Sequence, residues 1–390
     1  MEDWSFCLHK DYTADDSSSF CMSSPSMFGE AYLNEYSPLF SSFSSPLMNE
    51  YSLPPACNSG QSEVIATARD DEIESEVFYN KYSERMGWFD VLNHDRTCGL
   101  GAILNKEVGI PSSLESIRVK DFSIPYISWN KVDKKQLLKS FQSDFELVYV
   151  GQSCLTWEAL HHQYRKVKFL TFSNCLFPKN VAVEFQNFQV WLERFLEEER
   201  YIYQGTRVWN YAQARFASKT KTLLQVPKVS GFLEEEKEGN EGETVHAKEV
   251  LKAIDKCMKT FGNFITADRK KPWWKFKTSL LWTYPPVEDP KDLELLAELT
   301  RKLQKKELWL KDLQGKQKCW FNKAVNRPSE ESQKEAVFFT LIEMKLISRV
   351  LQMPILSSSQ LNWCQEKLDN IVFRRGRLLR TASGPLFPPS

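Results

Sequence analysis

Apolar positions recur at three- and four-residue steps over most of the chain, and the densest run is Asp144 to Lys168. Phe141, Phe145, Val148, Leu155 and Ala159 form one stripe, and Tyr149, Trp157, Leu160, Tyr164 and Val167 form a second. A helix apolar on more than one side has to be surrounded by others, so this one is the expected centre of a bundle. Eleven uncharged residues separate Glu146 from Glu158. They rise only about 16 Å, far short of the roughly 20 residues that a membrane span needs.

The flanking segments carry the same period. Ile73, Val77, Phe78, Tyr82 and Met86 predict a first helix, which Gly99, Gly101, Gly109 and Pro111 are expected to end. An irregular connector is expected from there to Trp129, and Asn130 is a fair N-cap for the central helix. Val181, Phe185, Phe188, Leu192, Phe195 and Ile202 share one face, RVWNYAQARFA follows Gly205, and Ala247, Leu251, Ile254, Met258, Phe261 and Ile265 make the cleanest stripe of all. Asp289, Pro290 and Asp292 read as a helix start ahead of Leu293, Leu296, Leu299, Leu303 and Leu310. A further helix spans about 329–351. Ser357 and Gln360 then resemble a capping box before Leu361, Cys364, Leu368 and Ile371. No strand alternation of comparable quality is present. The predicted fold is all-α, an extended multi-helix bundle with a disordered N-terminal tail.

Composition sets the borders. Residues 1–75 hold fifteen serines before Glu63, scattered prolines and no sustained period, so they are expected to be a disordered acidic Ser/Pro-rich tail. Residues 76–380 are expected to form a single α-helical domain with an exposed acidic loop at 233–244, and residues 381–390 a loose C-terminal tail. The net charge is zero, yet residues 1–62 carry eight acids and one base, leaving the remainder at +7. Nine scattered cysteines, none in a CxxC pair, read as reduced thiols. Together with an acidic N-terminus lacking an apolar run, they point to a soluble protein of the cytosol or nucleus, with no transmembrane segment.

No nucleotide-binding loop, nucleophile elbow or HExxH pair is present, no cofactor is expected, and the enzyme reading is correspondingly weak. The best constellation for chemistry is Cys154, Glu158 and His161, at i, i+4 and i+7 on the central helix. That spacing aligns a thiol, a carboxylate and an imidazole, a set able to hold a metal or activate the thiol. The plainer reading is a core cysteine beside an ordinary Glu–His helix pair. The second candidate is the basic-aromatic run Arg269, Lys270, Lys271, Trp273, Trp274, Lys275 and Lys277. Bases can neutralise phosphates while rings stack on unpaired bases; the plainer reading tucks the tryptophans under a loop. Arg374, Arg375, Arg377 and Arg380 form another basic run.

YSERMGWFDVLN from Tyr82, FELVYVGQSCLTWEALHHQY from Phe145, KPWWKFKTSLLWTYPPVEDP from Lys271 and SQLNWCQEKLDNI from Ser359 resemble a plant-specific family of uncharacterised proteins defined by a domain of unknown function. The likeness runs from about Glu74 to Phe373. Members have been carried under labels as unrelated as ribosomal protein, DNA ligase and zinc finger. This chain has no clustered Cys/His set or nucleotide loop to support any of them, and the family supplies no catalytic residues. The residues therefore lead to a non-catalytic helical interaction or scaffold protein with protein partners. A nucleic-acid-associated protein using 269–277 is the alternative, and an enzyme centred on Cys154 the third reading.

Overall fold

A computed structural model describes residues 61–108, 131–173, 175–201, 206–217, 223–229, 244–268, 287–318, 329–374, 377–380 and 385–388. The chain divides by compactness into residues 1–72 and 73–390, and the packing below belongs to the second unit. Among the described residues the elements are α1 (Gln61–Val108), α2 (Lys131–Leu170), β1 (Leu176–Pro178), α3 (Lys179–Tyr201), α4 (Arg207–Ala217), β2 (Thr244–His246), α5 (Ala247–Ala267), α6 (Asp292–Lys318), α7 (Ser329–Val350), α8 (Ser358–Asp369), β3 (Ile371–Arg374) and β4 (Arg377–Arg380). The all-α architecture is as expected.

α2 is the enclosed centre. Val148, Val150, Cys154, Leu155, Ala159 and Leu160 are wholly buried, and α4, α5 and α7 pack along it. α1 closes another side at Gly151, where an added Cβ would lie 2.3 Å from the Phe89 ring. Only glycine allows that approach, which accounts for a residue that otherwise weakens a helix interior. The apolar stripe of α3 seals against α5, whose Ile254, Met258 and Phe261 are fully buried. α6, α7 and α8 pack on one another, and α7 also meets α2 and α5.

Polar side chains inside the bundle are paired across elements. Asp90 on α1 takes both ends of the Arg215 guanidinium of α4, at 2.8 and 3.0 Å. Gln152 on α2 donates to the same carboxylate at 2.8 Å and accepts from the Tyr211 hydroxyl at 2.6 Å. Arg215 also donates to the Leu223 carbonyl. That bond, with the Thr156 hydroxyl donating to Leu224 O at 2.7 Å, holds a segment in which Leu224 has a φ of 64°. A buried leucine in the left-handed region persists only where surrounding bonds over-determine it.

Several expectations are corrected. α1, which starts at Gln61, runs through Gly99 and Gly101, expected to end it, to Val108. Phe141 of α2 lies against Gly99, so packing there outweighs the helix-weakening glycine. Among the described residues there are two short antiparallel pairs, β1 with β2 and β3 with β4. Three- and four-residue strands are too short to show alternation. Ile371, spaced as though it continued the last helix, opens β3, because α8 stops at Asp369. The capping box holds: Gln360 N–H donates to Ser357 Oγ and the Gln360 side chain accepts from Ser357 N–H at 3.2 Å. Asp289 accepts from Lys291 N–H at 3.0 Å in a turn leading into α6, which begins at Asp292.

The C-terminal residues expected to be loose are docked instead at 385–388. Phe387 is fully buried and meets Trp363 edge-on at 5.1 Å. Arg85 of α1 donates to the Leu386 carbonyl at 2.5 Å and to the Phe387 carbonyl at 2.8 Å. Two apolar residues beyond Pro385 are enough to fill a gap between α1, α2 and α8. The acidic loop 233–244, except Thr244, and most of the N-terminal tail lie outside the described residues.

Candidate functional site

α2 brings Cys154, Glu158 and His161 onto neighbouring turns, and each side chain meets a different set of neighbours. Burial pushes the Cys154 thiol well up, and the Glu158 charge adds to it. Both effects oppose the thiolate that nucleophilic or metal chemistry would use.

Glu158 is a junction. Oε1 accepts from Trp363 Nε1 at 3.0 Å and from Lys367 Nζ at 3.0 Å, while Oε2 accepts from Phe387 N–H at 2.9 Å. Burial raises its carboxyl above the usual range, with the Lys367 charge and the hydrogen bonds from Lys367, Phe387 and Trp363 pulling the other way. One carboxylate thus ties α2 to α8 and to the docked C-terminal residues. The adjoining cavity, between Cys154, Trp157, Glu158, Glu343, Trp363 and Lys367, is about 10 Å³. That is room for one water at most.

His161 accepts from Arg380 at 3.4 Å and lies edge-on to Phe339 at 5.3 Å. Burial, then the Arg380 charge, lower its pKa well below the ordinary value. Arg380 is itself ion-paired to Glu343. Among the described residues, no group of three or more His, Cys, Asp or Glu side chains is placed to hold a metal ion.

His162 faces elsewhere, stacked flat on Phe78 at 4.0 Å with its Nε2 3.3 Å from Ser75 Oγ. Burial, then Lys166 and Arg165, lower its pKa to about 4. The folded value lies below the unfolded one of about 6.5, so the native state binds this proton less readily. The resulting stability is present above about pH 6.5 and is lost as pH falls through the folded value, roughly 2–3 kcal/mol in all. Urea titrations at pH 7 and pH 4 should show that loss, and His162→Phe, which keeps the stack, should shrink it. Equal pH dependence in the two proteins would contradict the assignment.

A larger cleft of about 320 Å³ lies where α2, α5, α6 and α7 meet, lined by Tyr149, Ser153, Asp268, Lys311, Arg349 and Gln352 among others. It is near the lower end of the range for ligand pockets. Two of its charged residues are paired: Arg349 pairs with Glu146 and, through Nε at 2.7 Å, with Asp268, to which the Tyr149 hydroxyl also donates at 3.1 Å. These residues come from three distant stretches of chain, so no local motif announces them. Arg269, Lys270, Lys271, Trp273, Trp274, Lys275 and Lys277 lie outside the described residues. Arg374, Arg377 and Arg380 fall on β3 and β4, with Arg374 and Arg377 exposed. Among the described residues no helix is long and apolar enough to cross a membrane.

Neither the curated proteins nor the solved structures contain a match to this chain. A family model does match, over residues 143–388, which takes in the docked C-terminal residues and leaves the YSERMGWFDVLN stretch of α1 outside. α2 from Ser143 onward, its partners α4, α5 and α7 and the Glu158 junction all fall within that span, and the chain belongs to the family described as "Protein of unknown function (DUF1666)".

Proposed function

We propose that this chain is a non-catalytic helical interaction protein, working inside the cell through the surfaces of its bundle. One observation carries the reading: α1 exposes apolar residues on the side opposite its buried one, in an arc that also holds Glu84 and Asp95. Tyr82, Met86 and Phe89 are buried against the bundle, whereas Val77, Trp88 and Val91 are 48%, 41% and 61% exposed. At 100° per residue the second set falls within about 60° of arc, opposite the first. Single exposed apolar residues are ordinary, but three along one helix face mark a surface suited to a protein partner. α3 repeats the feature with Val183 and Val190 behind its buried stripe. The absorption of Cys154 and Glu158 into packing supports the same reading over an enzymatic one.

Proximity labelling with the full chain and with a Trp88→Glu/Val91→Glu variant tests the proposal. The variant should lose a reproducible set of neighbours while its stability stays within about 0.5 kcal/mol of the parent, as surface changes usually do. An unchanged set of neighbours would count against this surface.

A further inference from the structure

β3 and β4 form a hairpin whose two faces differ in chemistry. Cross-strand partners are Ile371 with Arg380, Val372 with Leu379, Phe373 with Leu378, and Arg374 with Arg377. Side chains alternate along a strand and partners share a face, so Ile371, Phe373, Leu378 and Arg380 form one face and Val372, Arg374, Arg377 and Leu379 the other. The first is turned inward: Ile371 and Leu378 are buried and Arg380 is paired with Glu343. On the second, Arg374 and Arg377 are exposed and Leu379 is 44% exposed.

The hairpin's seat is well defined. α6 lines the seat: Lys302 pairs with Asp369 at the end of α8, Lys306 donates to the Ile371 carbonyl, and the Trp309 ring meets Phe373 at 5.4 Å. The β4 edge is closed at Leu378, where the Gln333 side-chain amide accepts from its N–H at 3.2 Å and donates to its carbonyl at 3.4 Å. Strand addition is thereby blocked there, and the outward face is the accessible surface.

We infer that this face, Val372 and Leu379 beside Arg374 and Arg377, binds an acidic peptide segment of a partner protein. Like charges directly across a strand pair destabilise it, and neither arginine forms an ion pair with a described residue, whereas Arg380 on the opposite face does. A carboxylate bridging the two guanidiniums turns that repulsion into attraction. The apolar pair lies two residues along, about 7 Å away, the spacing of alternate side chains in an extended peptide. An acidic residue two positions from an apolar one would engage both pairs. Carboxylates are favoured over nucleic acid because the nearest aromatic platform is taken: Lys305 covers the Trp309 ring at 5.0 Å and Phe373 packs on it. The inference rests on the interaction reading but uses a surface separate from the outer face of α1, so either can fail alone.

The test is fluorescence anisotropy of a labelled peptide in which glutamate and leucine stand two positions apart, a Glu-Ser-Leu-Ser repeat, titrated with the full chain at two salt concentrations, with an oligothymidylate probe in parallel. Binding of the peptide that weakens with salt, falls at least tenfold in Arg374→Ala/Arg377→Ala and returns for a lysine–leucine peptide in Arg374→Glu/Arg377→Glu is the expected result. Arg374→Glu alone creates an opposite-charge pair with Arg377, so its thermal midpoint should not fall although the peptide is lost. Equal binding by parent and double-alanine protein, or an oligothymidylate that binds more tightly and displaces the peptide, overturns the inference.

Discussion

Arg215→Ala is expected to lower the unfolding free energy by about 3–5 kcal/mol, the usual cost of leaving one partner of a buried ion pair alone. The Arg215 side chain is 1% exposed and that of Asp90 9%, so neither charge has water to fall back on. With the guanidinium gone, Asp90 keeps only the Gln152 amide, and the Leu223 carbonyl loses the donor that Arg215 supplies. The neighbouring left-handed Leu224, at φ 64°, then has fewer bonds to offset a strain of about 1–3 kcal/mol. Urea unfolding should show a lower midpoint at unchanged slope. Arg215→Met with Asp90→Leu should recover most of the loss, because an apolar pair of similar volume commonly replaces a buried ion pair at little cost. A loss below about 1 kcal/mol in the single variant would mean that the network contributes little to holding α1 on α4.

Glu158→Ala should cost a similar amount, roughly 3 kcal/mol or more, because Lys367 would be left buried without its carboxylate. Lys367 is 7% exposed, and Trp363 Nε1 and Phe387 N–H would lose an acceptor in the same step. Glu158→Gln should cost less, since its carbonyl oxygen still accepts. The alanine variant should also release residues 385–388, read as faster amide hydrogen exchange at Leu386 and Phe387. The sign carries information about function. A carboxylate kept for catalysis or metal binding is commonly removed at no cost to stability, or with a gain. A Glu158→Ala protein as stable as its parent would therefore revive the chemical reading of this helix.

Much of the architecture was legible because it follows from period. The double stripe on α2 marks a surrounded helix, and the Ala247-to-Ile265 stripe marks α5. What escaped depends on contacts between distant residues. Gly99 and Gly101 look like breakers until Phe141 is seen against the first of them. Leu386 and Phe387 are too short a run to register as an element, yet three elements hold them. The spacing of Cys154, Glu158 and His161 places them on neighbouring turns of α2. Spacing along a helix, however, says nothing about what lies opposite, and opposite Glu158 are Lys367, Trp363 and Phe387. Asp90 and Arg215 are 125 residues apart, and no local pattern links them.

The middle of α2 is sealed, and its polar groups serve the fold. Pulsed alkylation of the native protein, read by mass spectrometry at each cysteine, tests that directly. Cys98 is exposed, whereas Cys154 is buried with its thiol pushed up, so Cys98 should label within the pulse and Cys154 only after denaturant is added. Native Cys154 labelling as fast as Cys98 would show an accessible, activated thiol and contradict the account.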